Sequence, residues 1–108
     1  MLSEHEGRVV LRGAFQERGY AIREDVPFLV GDATISLDGY DAAAAVGYEY
    51  ISSEDGRSEL TDEVIERLDH MMERGQHFIF LVDEHQVDDP DHLRVAALRF
   101  LDELSKRR

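Results

Sequence analysis

A chain of 108 residues has room for one core shared by a sheet and a few helices, so residues 1–108 are expected to form a single α/β domain. Twenty-four acidic against twelve basic side chains give a net charge of −12, a field that disfavours nucleic acid and anionic lipid and favours a basic protein as partner. Cysteine is absent, which removes disulfides and thiolate chemistry, and the apolar run Phe78 to Val82 falls far short of the roughly 20 residues of a membrane helix; a cytoplasmic protein without membrane contact is expected.

Ser3 with Glu6 forms a capping-box pattern, and Val10, Leu11, Ala14 and Phe15 share the face of a helix over about residues 4–18, ended by Gly19. From Tyr20 the period changes to two. Tyr20 and Ile22 start a strand that breaks at Glu24-Asp25 and resumes over Pro27 to Val30. Ala33, Ile35 and Leu37 alternate with polar residues in a second strand, and Val46, Tyr48 and Tyr50 mark a third. Between those two, Asp38-Gly39-Tyr40-Asp41 carries a turn dipeptide, and the alanines that follow, Ala42 to Ala45, leave the position of the tip open.

Glu54 to Arg57 is a polar loop, after which Thr61 caps a second helix, with Leu60 and Ile65 as its staple and Ile65, Leu68 and Met72 as its buried stripe up to Gly75. Phe78 to Val82 is a strand buried on both faces. Asp89-Pro90 opens the last helix, with Leu93, Ala97, Phe100, Leu101 and Leu104 inward. The order α-β-β-β-α-β-α predicts a mixed sheet of about four strands with helices packed on its faces, and the apolar run places Phe78 to Val82 at the centre of that sheet.

This element order, over about residues 3–83, resembles the restriction-endonuclease-like or PD-(D/E)XK nuclease core, in which a helix precedes a three-stranded meander, a second helix and a fourth strand. The resemblance implies an acid on the second strand, matched by Asp38 or Asp41, and an acid on the third, matched by Glu49, gathering Mg2+ or Mn2+ to activate water. The family places Lys two residues after the second acid; here stands Ile51, and a basic residue of the second helix such as Arg67 is the available substitute. Without the nuclease role, Glu49 reads as a strand carboxylate at the sheet edge or paired with an arginine.

A second cluster, Asp83-Glu84-His85-Gln86-Val87-Asp88-Asp89-Pro90-Asp91-His92, follows the buried strand, where His and carboxylates can ligate a cation. Helix capping by Asp89 and Pro90, with Asp91 at the positive helix end, accounts for most of it. His5, His70 and His77 have no partner at ligand spacing. Tyr40, Tyr48 and Tyr50 on the meander read as core under a helix, with anchoring of a partner protein as the alternative, and no phosphate-binding glycine loop or nucleophile elbow is present.

The missing Lys and the acidic charge favour a non-catalytic protein-interaction or regulatory domain that needs no cofactor. The alternative is a divalent-metal-dependent nuclease or phosphodiesterase using Asp38, Asp41 and Glu49. Oligomeric state stays open.

Overall fold

The computed structural model describes residues 2–52 and 60–107; the loop expected at Glu54 to Arg57 lies outside them. Helix starts fall where side chains replace missing backbone acceptors. Ser3 Oγ accepts the Glu6 N–H at 3.1 Å and Glu6 Oε1 accepts the Ser3 N–H at 3.2 Å, which fixes the start of α1 (Glu4–Glu17). The left-handed Gly19, φ 92°, follows its end. Thr61 Oγ1 accepts the Val64 N–H at 3.2 Å at the start of α2 (Asp62–Glu73), and Asp89 accepts the His92 N–H at 2.8 Å ahead of α3 (Pro90–Arg107).

Four strands, β1 (Arg23–Val30), β2 (Ala33–Asp41), β3 (Val46–Ile51) and β4 (Phe78–Asp83), form one mixed sheet in the order β1-β2-β3-β4. β2 pairs antiparallel with β1 and with β3, and β4 lies parallel to β3. α1 and α3 cover one face through Leu11, Phe15, Leu93, Ala97 and Leu101 against Val46, Tyr48 and Tyr50. α2 covers the other through Val64 and Leu68 against Ile35, Leu37 and Ile79. Among the described residues no helix is long and apolar enough to cross a membrane.

The expectation of a central β4 is overturned: it forms the end of the sheet, next to β3 alone. Its apolar run has a different cause, because Phe78 and Val82 pack under α1 and α3 while Ile79 packs under α2. Helices, not flanking strands, bury its two faces. The tip of the β2–β3 connection falls on Ala42 to Ala45, with Ala45 at φ 58°, and not on the turn dipeptide at Asp38-Gly39, because β2 runs on through Asp41.

Gly39 is therefore a packing glycine. It stands opposite Tyr48, and a Cβ there would overlap the Tyr48 ring and come within 2.5 Å of its hydroxyl oxygen. β1 begins at Arg23, not Tyr20, and passes through the expected break with only Asp25 distorted, at φ 53°. On α2 the fully buried residues are Val64 and Leu68, with Met71 beside them; Ile65 is half-buried and Met72 contacts the opposite core. The predicted stripe is thus rotated by about one residue. The three meander tyrosines are core: Tyr48 and Tyr50 beneath α1 and α3, Tyr40 on the α2 side.

Candidate carboxylate site at the strand split

β2 is paired with β1 along almost its whole length, but with β3 only where Gly39 to Asp41 face Val46 to Tyr48. The next positions in that register are Asp38 and Glu49, and there side chains take over from the backbone ladder. Glu49 Oε1 accepts the Asp38 N–H at 2.9 Å, and Asp38 Oδ2 accepts the Tyr50 N–H at 2.7 Å. Each acid thus satisfies an amide on the other strand, which the parting of the strands would leave without a carbonyl.

Both acids are buried, at 6% and 9% exposure. Burial pushes the Asp38 carboxyl above its usual range, opposed by the Tyr50 N–H, a side-chain hydrogen bond with Glu49 and the charge of Arg8.

Arg8 of α1 covers this pair from outside. Its Nη2 lies 2.9 Å from Asp25 Oδ1 and 3.4 Å from Glu24 Oε2, and its Nε is 3.8 Å from Asp38 Oδ1. Arg12, one turn on, donates to Glu24 Oε1 at 2.6 Å. Beneath them the Tyr48 hydroxyl is fully buried and has no hydrogen-bond partner among the described residues; burial holds this phenol well above the usual tyrosine range.

Of the three acids named from sequence, the structure joins Asp38 and Glu49 and separates Asp41. Asp41 holds two connections instead, accepting the Ala21 N–H at 2.9 Å and the Ala44 N–H at 3.1 Å. Arg67 reaches neither acid in any recorded pair: it bonds Glu63 at 3.2 Å and lies over Gly31 of the β1–β2 turn. The base that meets Asp38 is Arg8, which sequence reasoning missed together with Glu24 and Asp25. The signal was the Arg8/Arg12 spacing on one helical face and two acids read only as a strand break.

The His85/His92 cluster is capping chemistry. Asp83 accepts the His85 N–H at 2.8 Å in a single 3-10 turn (Glu84–Gln86), and Asp89 caps α3. His77 packs edge-on against Phe28 and hydrogen-bonds the Tyr40 hydroxyl at 2.7 Å through Nδ1.

Among the described residues no three His, Cys, Asp or Glu side chains converge as a metal-ion set. The strand-split pair offers two carboxyls, each with one oxygen bonded to an amide, and a guanidinium 3.8 Å from Asp38. No family model, curated protein or solved structure matches the chain.

Proposed function

We propose that this chain is a non-catalytic, acidic protein-interaction or regulatory domain, built on a scaffold resembling the PD-(D/E)XK core and binding a basic protein. The observation that carries this reading is the commitment of Asp38 and Glu49 to backbone amides across the strand split, under the Arg8 guanidinium. The positions that the resemblance would assign to metal binding serve here to join two strands. Ile51 adds no charge where the family places Lys, and a net charge of −12 repels a phosphate backbone.

The test is a thermal melt with added Mg2+ or Mn2+. A ligand that binds only the folded state raises the midpoint by mass action, so an unchanged midpoint is expected and a saturable rise, lost in Glu49→Gln, overturns the reading.

The second reading, a divalent-metal-dependent nuclease or phosphodiesterase, draws on the same convergence of Asp38 with Glu49, with Asp41 removed from the set. It requires Mg2+ or Mn2+ to bind the two carboxylates and Arg8 to swing away from Asp38. Metal binding that strengthens as pH rises is its signature.

A further inference from the structure

The arginines facing the acids of α1, β1 and α3 are already engaged. Arg8 and Arg12 bond Glu24 and Asp25, Arg18 bonds Asp102 at 2.7 Å, and Arg94 bonds Glu17 at 2.5 Å. The arrangement differs where α2, β4 and α3 meet at the end of the sheet. There a groove of about 370 Å3 has an apolar floor of Met72, Phe78, Phe100 and Leu104. Its α2 wall carries Asp69 and Glu73, both exposed and with no ion pair recorded among the described residues. The α3 wall carries Glu103, bonded to Lys106 at 3.3 Å, and Arg107.

Resting on the interaction-domain reading above, we propose that this groove is the docking surface, and that its occupant is a basic segment of a partner protein presenting one apolar anchor beside Lys or Arg. The floor takes the anchor. Its volume suits one large side chain, and aromatic residues already line it. Asp69 and Glu73 take the cation, which gains attraction there without displacing an existing partner. A second copy of this chain is a poor occupant, since each copy carries a charge of −12 and would set acidic walls against each other. The polar cavity under Arg8 and Arg12 is a poor docking site for a basic segment, because Glu24 and Asp25 there already have their cations.

The experiment titrates the 15N- and methyl-labelled full chain with a short synthetic peptide holding one phenylalanine flanked by arginines, beside a matched peptide with glutamates for the arginines. Saturable shifts at Met72, Phe78, Phe100 and Leu104 are expected with the basic peptide alone, weakening as salt is added. The exposed double substitution Asp69→Lys with Glu73→Lys is expected to weaken binding by about threefold or more while leaving the spectrum dispersed. Equal shifts from the acidic peptide, a shift map on another face, or a free chain that sediments as a dimer through this groove each overturn the proposal. A chain that cleaves no nucleic acid, binds a basic partner and shows no response in the groove retains the interaction-domain reading and discards this surface.

Discussion

Asp38 and Glu49 exchange roles across the split between β2 and β3: Glu49 accepts the amide of Asp38, and Asp38 accepts the amide of the residue after Glu49. The strands separate without leaving either buried amide unpaired, and two acidic residues become structural acceptors.

Removing either acceptor strands a buried N–H, which costs about 1–3 kcal/mol. Asp38→Ala and Glu49→Ala are each expected to lower the free energy of unfolding by that amount in urea denaturation. Glu49→Gln, which keeps an acceptor oxygen, should lose less. The two alanine effects should not add, because the residues share one network. Full stability in Glu49→Ala would show that the split does not depend on this bond.

The pair also sets a pH dependence. Burial raises the Asp38 pKa in the folded chain, so the folded state holds this proton more firmly than the unfolded one. The resulting stability is present below the ordinary aspartate range and is lost as pH rises from there through the raised value. The stability of the native chain minus that of Asp38→Asn should therefore decline with pH across this window in a series of urea midpoints. A difference that grows with pH would mean that Arg8 and the Tyr50 amide outweigh burial.

Gly39 and Tyr48 supply a packing test. A methyl at position 39 overlaps the Tyr48 ring, so Gly39→Ala is expected to cost about 1–3 kcal/mol by overpacking. A smaller residue at 48 should absorb part of that cost in the double substitution. Tyr48→Phe removes a buried hydroxyl without a partner among the described residues, so it should leave the melting temperature unchanged or raise it. A clear loss on Tyr48→Phe would reveal a bond to this hydroxyl.

The helices were legible because their signals are local: Ser3, Thr61 and Asp89 cap over three residues, and Gly19 follows the first helix end. Asp38 and Glu49 were legible as candidates, but their junction depends on the register between two strands. Arg8 was invisible as a site residue because its partners Glu24, Asp25 and Asp38 come from β1 and β2, brought to it only by the fold. Asp38-Gly39 misled as a turn because the same dipeptide also serves where a ring crosses close to a strand. The end position of β4 was hidden because a strand buried by two helices has the same apolar pattern as one buried between strands.

The most direct measurement of the non-catalytic reading is cleavage of single- and double-stranded DNA and RNA by the purified chain with Mg2+ or Mn2+ at physiological salt, where the repulsion between a chain of charge −12 and a polyanion is screened. No metal-dependent turnover above that of Glu49→Gln is expected. Turnover in the native chain that disappears in both Glu49→Gln and Asp38→Asn would contradict it and make the strand-split pair a catalytic site.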